Sequence, residues 1–313
     1  MGDSPYFYWK IFDFSHCVNL NQFFVLHCIM AFLCIDIGGT NTFFGVGDDD
    51  FRKVKEIKTA DFLSDINKSV KSVLEEADYP ELEKVAVAAA GPIDKDKGLF
   101  YPPNIDKEFV QLKDPLEEFA EVEIINDCAA AVLGEYYYGE TAENLLYITI
   151  SSGIGAAFIS NGDLVEGRDG NFGEVGHMKI GEELECGCGG TGHWEAYCSG
   201  NNLTNMAHEL HDLEIDDPKE LFEVEGENAE EALDEFKHRT CVGVANLINL
   251  YNPDKIIFGG AVALNHFDTI LESIENGVKS EIVNEMPEMT LCGLGEIAVL
   301  HGLRVNCNGK VKE

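Results

Sequence analysis

Apolar residues along the chain fall into short runs separated by polar, glycine-containing turns. An apolar run at 32–37 is followed by the turn 38–41, a second run at 42–46, the turn 47–50 and then a third segment of strand character. Short apolar runs bounded by glycine, asparagine and aspartate are typical of β-strands. The pattern predicts a three-stranded meander.

A helix and a fourth strand follow the meander. Apolar residues recur at intervals of three and four between 63 and 77, which predicts an amphipathic helix. The apolar run 85–90 predicts a strand, and Gly91-Pro92 ends it. The predicted order up to this point is βββαβ.

The next strand delivers two polar residues to its carboxyl end. The apolar run 122–125 leads directly into Asn126 and Asp127, and the alanine-rich segment 128–138 predicts a helix after them. Sheets of this kind bind ligands beyond the carboxyl ends of their strands. Asn126 and Asp127 are therefore candidates for a binding site.

The second half of the chain begins with the same pattern as the first. Apolar runs at 145–150 and 154–159 flank the turn 151–153, and another turn lies at 161–163. Because this arrangement repeats that of residues 32–50, it indicates an internal duplication.

A long helix and a further strand belong to this second half. Apolar residues at helical spacing between 233 and 248 predict the helix, and Asn252-Pro253 ends it. The apolar run 256–258 predicts a strand that ends at the glycine pair 259–260. Two lobes facing each other would bring both glycine turns and this glycine pair together.

The whole pattern predicts an α/β protein of two similar lobes around a cleft. We assign 30–127, together with a C-terminal helix at about 296–313, to the first lobe and 128–295 to the second. Residues 1–29 show no helical or strand period and lack the features of a signal peptide. We interpret them as a non-native or disordered extension ahead of a start at Met30.

The charge of the chain excludes several classes of protein. Its 57 Asp and Glu residues against 22 Lys and Arg residues give a formal net charge of −35. Such a surface repels nucleic acids and anionic membranes, so we expect neither as a partner. Self-repulsion of this size is tolerated best where salt screens it, which favours a halophilic origin and a salt-rich cytoplasm.

The ten cysteines are expected to be reduced, because they lie in a long chain and several fall within apolar stretches. Cys34, Cys128 and Cys241 have the surroundings of small core residues. Only Cys186 and Cys188 have the close spacing of metal ligands.

Four motifs occur in the order found in one known family. They are Asp36-Ile-Gly-Gly-Thr-Asn, Asn126-Asp127, Gly173-Glu174-Val-Gly-His177 and Cys186-Gly-Cys188-Gly-Gly-Thr-Gly-His193-Trp-Glu195. Over nearly everything after residue 31 the chain resembles the ROK sugar kinases and glucokinases. The resemblance implies their two-lobed, actin-like (ribonuclease H-like) ATPase fold, with duplicated βββαβαβα lobes around a cleft. The resemblance implies a cytoplasmic enzyme that passes the γ-phosphate of ATP to a hexose hydroxyl, often as a homodimer or higher oligomer.

The glycine turns suit a phosphate site. Paired glycines let backbone N–H groups approach phosphate oxygens without interference from a Cβ atom, although a plain β-turn has the same composition. The second such turn favours a phosphate clamp. By resemblance, Asp36 lies near Mg²⁺, and the ATP contacts are made by Gly38, Gly39, Thr40, Asn41, Ser151, Ser152, Gly153, Gly259 and Gly260.

Asp127 is the candidate general base. Phosphoryl transfer needs a positioned carboxylate that accepts the proton of the attacking hydroxyl, and a carboxylate directly after a buried strand suits that task. The alternative is that Asp127 caps the following helix. Since Asn126 can also act as a cap, capping does not explain the pair.

Sugar recognition requires several fixed polar groups whose hydrogen bonds are lost with the wrong epimer. In so acidic a chain each acidic candidate could also be an ordinary surface residue. By resemblance, the groups that bind the hexose are Asn104, Asn126, Asp127, Glu174, His177 and Glu195.

A structural Zn²⁺ site is predicted near the sugar. Cys186, Cys188 and His193, with His177 nearby in sequence, supply four nitrogen and sulfur ligands, which is the number expected of a closed zinc site. The alternative is two free thiols and two surface histidines. Zinc would fix the loop so that His177 and Glu195 face the sugar.

Two questions stay open at the level of sequence. The resemblance favours glucose as substrate and glucose 6-phosphate as product, with N-acetylglucosamine, N-acetylmannosamine, fructose and mannose as alternatives. The second question is whether the chain is an enzyme, since the alternative is a non-catalytic, sugar-responsive ROK regulator. A regulator is expected to carry a basic DNA-binding module of roughly 70 to 90 residues ahead of the kinase fold, and it leaves Asp36 and Asp127 unexplained.

Overall fold

The computed structural model describes residues 31–47, 51–79, 81–101, 109–139 and 142–308. Asn104 and the extension predicted at 1–29 lie outside the described residues.

The described residues form both strands and helices, with several strands in succession in each half. The strands are β1 (Ala31–Ile37), β2 (Asn41–Gly47), β3 (Arg52–Lys58), β4 (Leu82–Ala89), β5 (Ile93–Asp94), β6 (Leu99–Phe100), β7 (Val110–Gln111), β8 (Glu121–Asn126), β9 (Leu145–Ile150), β10 (Ile154–Ser160), β11 (Asp163–Leu164), β12 (Lys255–Gly259) and β13 (Glu288–Leu291). The helices are α1 (Thr59–Ser64), α2 (Ile66–Ala77), α3 (Lys113–Leu116), α4 (Asp127–Tyr138), α5 (Trp194–Cys198), α6 (Leu203–His211), α7 (Glu227–Tyr251), α8 (Ala261–Gly277) and α9 (Ala298–Asn308). Short 3₁₀ turns lie at Val175–His177, Pro218–Phe222, Val278–Ser280 and Gly295–Ile297.

Two five-stranded sheets share one topology. The first has the order β3-β2-β1-β4-β8, and the second has the order β11-β10-β9-β12-β13. In each sheet the first three strands in sequence form an antiparallel meander, and the last two strands run parallel to the first strand. The predicted α/β class and the internal duplication are confirmed.

Two features were not predicted. A third, small sheet of order β5-β6-β7 has strands of two residues, which are too short to show a hydrophobic period. The helix predicted between 63 and 77 is confirmed from Ile66 onward as α2, but it is wrong at its start, because Leu63 belongs to α1 and the two helices meet at Asp65. Its backbone is not helical (φ −154°), and its side chain caps α2 by accepting the Lys68 N–H at 3.0 Å.

The last helix of each half packs on the sheet of the other half. Helix α4 follows β8 of the first sheet but packs against β9 and β10, whereas α9 follows β13 of the second sheet but packs against β1 and β4. This exchange agrees with the assignment of α4 to the second lobe and of the C-terminal helix to the first. The exact boundary between residues 127 and 128 stays a prediction.

Helices α4 and α9 also pack tightly on each other between the two sheets. A Cβ atom at Gly302 would overlap the Ala130 carbonyl, so only glycine allows the two backbones to approach this closely. The contact fixes α4, and with it Asp127 at the start of α4, relative to both sheets.

None of the helices within the described ranges combines the length and the apolar character that crossing a membrane requires.

Candidate active site

Asn126 and Asp127 stand where β8 passes into α4. Asn126 caps the helix, since its Oδ1 accepts the N–H groups of Cys128 at 2.9 Å and Ala129 at 3.2 Å. The Asp127 carboxylate, on the first residue of α4, also accepts the Cys128 N–H, at 2.7 Å. The cap that was the alternative role for Asp127 therefore belongs chiefly to Asn126.

Asp36 and Asp127 lie close enough to repel each other. The pKa of Asp36 is raised to about 8, first by burial and then by the negative charge of Asp127, against the opposing charge of Lys53. Burial also raises the pKa of Asp127, and the hydrogen bond from the Cys128 N–H partly offsets this. Two carboxyl groups in such a position suit a site that receives a cation between or beside them.

The first glycine turn is held closed by its neighbours. Gly38 N–H donates to the Asn41 carbonyl at 3.0 Å, and Thr59 donates its N–H to the Thr40 carbonyl at 2.9 Å and its hydroxyl to the Gly38 carbonyl at 2.7 Å. A Cβ atom at Gly38 would lie 2.8 Å from the Asn41 oxygen, whereas one at Gly39 would meet nothing within 4 Å. Gly38 permits the tight turn, and Gly39 leaves its outer surface open for a ligand.

The second glycine turn lies against the glycine pair at the end of β12. Ser151 N–H donates to the Gly153 carbonyl at 2.9 Å, which closes the turn. Gly260 has a φ of +85°, and a Cβ atom there would lie 2.6 Å from the carbonyl oxygen of Ile150, the residue before the turn. The structure thus brings Gly259-Gly260 next to the second turn, as the fold prediction requires.

Glu174 reaches from the second lobe to the first. A Cβ atom at Gly91 would collide with Glu174 Oε1 and would lie 3.5 Å from Asn126 Nδ2, so Gly91 separates these two polar groups. Burial raises the pKa of Glu174, the charges of Asp127 and Glu195 raise it as well, and His177 lowers it. Glu174 and Asp127 therefore belong to one site between the lobes.

Glu195 has a contact that the sequence did not indicate. Its Oε2 accepts the Ile154 N–H at 3.0 Å and lies against Gly153. One carboxylate oxygen thus holds the second glycine turn in place. The sugar contact expected of Glu195 by resemblance stays a prediction, and Oε1 is the oxygen that would make it.

His177, Cys186, Cys188 and His193 form a compact cluster. One ligand atom from each lies within 4.8 Å of all the others. His177 Nδ1 is 3.7 Å from Cys186 Sγ, and His193 Nδ1 is 3.2 Å from Cys188 Sγ. Zn–S bonds of about 2.3 Å and Zn–N bonds of about 2.0–2.1 Å place tetrahedral ligands at separations of this order, so the four side chains fit a zinc ion.

The cluster is joined to the carboxylates of the cleft. His177 Nε2 lies 3.9 Å from Glu174 Oε2, on the side of the ring away from the cluster. If Nδ1 binds a metal, Nε2 carries the ring proton and faces the cleft as a donor. The four-residue cluster and the carboxylate of Glu174 are therefore neighbours in one site.

The raised pKa of Asp36 predicts that the ligand-free protein becomes less stable as the pH rises. The unfolded residue loses its proton around its ordinary pKa of 3.8 and the folded residue at about 8, so the folded state binds the extra proton between these values. The free energy of unfolding should then fall with rising pH, by at most about 1.4 kcal/mol per pH unit from this group. In denaturant titrations from about pH 5 to about pH 8, Asp36→Asn should flatten this slope. An equally steep slope in the variant would contradict the assignment.

Comparisons with known proteins identify the family and the fold of this chain. A sequence model described as the ROK family matches residues 32–299. A glucokinase from Pyrobaculum calidifontis is 36% identical over 197 residues, covering 61% of this chain and 67% of that protein. A xylose repressor from Bacillus subtilis is 28% identical over 228 residues, covering 70% of this chain and 59% of that protein.

The crystal structure of a ROK family glucokinase from Streptomyces griseus, in complex with glucose and AMPPNP, superimposes with a TM-score of 0.72. Its sequence is 27% identical, and the match covers 89% of this chain and 100% of that chain. The two-lobed, actin-like fold expected from the sequence is thereby confirmed.

Proposed function

Because this chain belongs to the ROK family and is a sugar kinase like its glucokinase relatives, we propose that it transfers the γ-phosphate of ATP to glucose and forms glucose 6-phosphate. The observation that carries the proposal is the position of the Asp127 carboxylate, beside Asp36 of the first lobe and Glu174 of the second. An ATP-dependent enzyme of this kind is placed in the cytoplasm as part of the same proposal.

Asp127 acts as the general base. Its carboxylate accepts the proton of the sugar hydroxyl as that oxygen bonds to the γ-phosphorus. Burial raises the pKa of Asp127 above that of an ordinary aspartate, which makes the ionised group a stronger proton acceptor. The packing of α4 against α9 and both sheets holds this carboxylate in position.

The glycine turns hold the triphosphate on the opposite side of the cleft. Gly38, Gly39 and Thr40 form one wall, Ser151 to Gly153 form the other, and Gly259-Gly260 admits the adenosine. When bound, Mg²⁺ neutralises charge that develops on the phosphates. The Asp36 carboxylate would hold this ion, and the pKa raised to about 8 is that of a carboxyl group without a sufficient counter-charge.

The sugar is oriented by side chains around Asp127. Glu174 and His177 of the second lobe and Asn126 of the first supply acceptors and donors for its hydroxyls. Zinc in the Cys186–Cys188–His193–His177 cluster would fix His177 through Nδ1 and leave Nε2–H for the cleft. Asn104 is proposed as a further sugar contact from outside the described residues.

A panel of hexoses tests the proposed substrate. Rates of ADP release are to be measured with Mg²⁺, ATP and glucose, mannose, fructose, N-acetylglucosamine or N-acetylmannosamine in high KCl. We expect the highest kcat/KM for glucose. A higher kcat/KM for another sugar would change the assigned substrate but not the assignment of the protein as a kinase.

The same panel distinguishes a regulator from an enzyme. The similarity to a xylose repressor leaves open a protein that binds sugar without catalysis. Such a protein would bind a sugar in calorimetry and release no ADP with any member of the panel.

The net charge of −35 predicts that salt stabilises the protein. At about 1 M salt the Debye length is about 3 Å, so repulsion between carboxylates on the surface is largely screened. We expect the midpoint of thermal unfolding to rise by several degrees between dilute buffer and molar KCl, and the activity to rise with it. Equal stability and equal rates across this range would contradict the halophilic interpretation.

A further inference from the structure

Strand β3 concentrates positive charge in a strongly acidic protein. Its sequence is RKVKEIK, so Arg52–Lys58 holds four basic residues, whereas the whole chain has 22 Lys and Arg residues and a formal net charge of −35. Side chains of a strand alternate between its two faces, and the pairing register shows which face each one occupies.

Lys58 is on the face of the sheet that carries Asp36. Asp36 pairs with Phe43, and Phe43 pairs with Glu56. Lys58 lies two residues beyond Glu56 and pairs with Asn41, which lies two residues before Phe43. All five side chains therefore belong to one face, and Phe43 packs there against the cluster of buried residues between the sheets.

Lys58 is joined directly to the first glycine turn. Its Nζ donates to Asn41 Oδ1 at 2.8 Å. The next residue, Thr59, donates to the carbonyl groups of Gly38 and Thr40. The exposed ammonium group is thus held at the edge of the turn that is proposed to bind phosphate.

Lys53 shares this face but already has negative partners. Its ammonium lies over the Phe43 ring at 4.1 Å, 3.4 Å from Glu56 and 3.6 Å from Glu296. The described partner of Lys58 is instead the neutral amide of Asn41. Of these two lysines, Lys58 is therefore the one that can bind an anion without first breaking an ion pair.

The site needs such a cation. Asp127, Glu174 and Glu195 contribute negative charge to the cleft. A triphosphate entering between them meets repulsion that backbone N–H groups alone offset only in part.

We propose that Lys58 is a phosphate-binding residue of the nucleotide site, where its ammonium contacts the terminal phosphates of ATP at the Gly38–Gly39 turn and Asn41 holds it in place. The proposal rests on the proposed function, because it takes ATP to be the ligand of that turn.

Replacing Lys58 by methionine tests the proposal. Loss of a charge-assisted hydrogen bond should raise KM for ATP about tenfold, whereas KM for glucose should stay within about twofold. Lys58→Arg should restore most of the affinity because it keeps the charge. The effect should shrink as KCl is raised, since salt screens an exposed charge.

Lys55→Met is the matched control. Lys55 is on the same strand but on the opposite face, where its Nζ contacts Ser72 at 2.9 Å and Glu76 at 2.8 Å. This variant removes the same charge from the protein and should leave KM for ATP unchanged. An equal rise in both variants would overturn the proposal, because it would reflect net charge alone.

Direct binding of a fluorescent ATP analogue separates this proposal from the proposed function. Equal affinity of wild type and Lys58→Met would overturn the role of Lys58 only. Weaker binding by Lys58→Met would support that role even if the wild-type protein phosphorylated no hexose, a result that would overturn the proposed function. Absence of binding by the wild type would overturn both. If Lys58→Met does not fold, Lys58→Gln, which keeps a donor for Asn41, replaces it with the same expected loss of affinity.

Discussion

Replacing Asp127 by asparagine should lower kcat by about 10²- to 10⁴-fold while the protein stays folded. The amide has the shape of the carboxylate but cannot accept the proton of the sugar hydroxyl. Because the base is needed in the transition state, kcat should fall far more than the affinity for glucose or ATP changes. Steady-state kinetics with both substrates varied, together with thermal unfolding, give these quantities.

The structure supports this expectation, because Asn126 supplies the main helix cap and the fold can therefore tolerate the change at Asp127. Asp61→Asn is a suitable control, since Asp61 also lies in the first turn of a helix, α1, and is exposed. The control should keep its full rate. If Asp127→Asn kept the rate of the wild type, Asp127 would not be the base.

Replacing Cys188 by serine should release the zinc and lower the midpoint of thermal unfolding by roughly 10 °C. Cys188 is exposed, and substitution of an exposed side chain ordinarily changes stability by at most about 0.5 kcal/mol. A large loss at this position is therefore expected only if the thiolate holds a metal. Metal analysis of the purified protein should give about one zinc per chain for the wild type and much less for the variant.

Cys241→Ser separates loss of zinc from loss of any thiol. Cys241 lies in α7, outside the cluster, and the variant should keep its zinc. Since His177 joins the cluster to Glu174, Cys188→Ser should also raise KM for glucose. A fully active wild-type protein without metal would contradict the zinc site.

Much of the fold was predictable because it follows local patterns. The runs that form β1, β2, β9 and β10 are short, apolar and bounded by glycine turns, so their order and their repetition are visible in the sequence. The break at Asp65 was not predictable from hydrophobic spacing, because apolar residues continue at helical intervals across it while a side-chain cap starts a new helix. The pairing of β5, β6 and β7 was not predictable either, because strands of two residues are too short to show a hydrophobic period.

The candidate site also has a part that was predictable from the sequence and a part that was not. The grouping of Asp36 with Asp127 followed from the fold prediction, since they lie at the carboxyl ends of β1 and β8, two parallel strands of one sheet that are separated by β4. The hydrogen bond from Ile154 N–H to Glu195 joins residues 41 positions apart and has no local signal. The place of Lys58 beside the first glycine turn depends on the register of β2 and β3, which hydrophobic alternation alone does not fix.

The most direct test of phosphoryl transfer at Asp127 is NMR observation of the reaction itself. Wild-type protein with Mg²⁺, ATP and ¹³C-labelled glucose should give one phosphomonoester, coupled to carbon 6, for each ADP formed, and Asp127→Asn should give almost none at the same protein concentration. Release of ADP and free phosphate without a sugar phosphate, or equal formation of sugar phosphate by the variant, would contradict the proposed reaction.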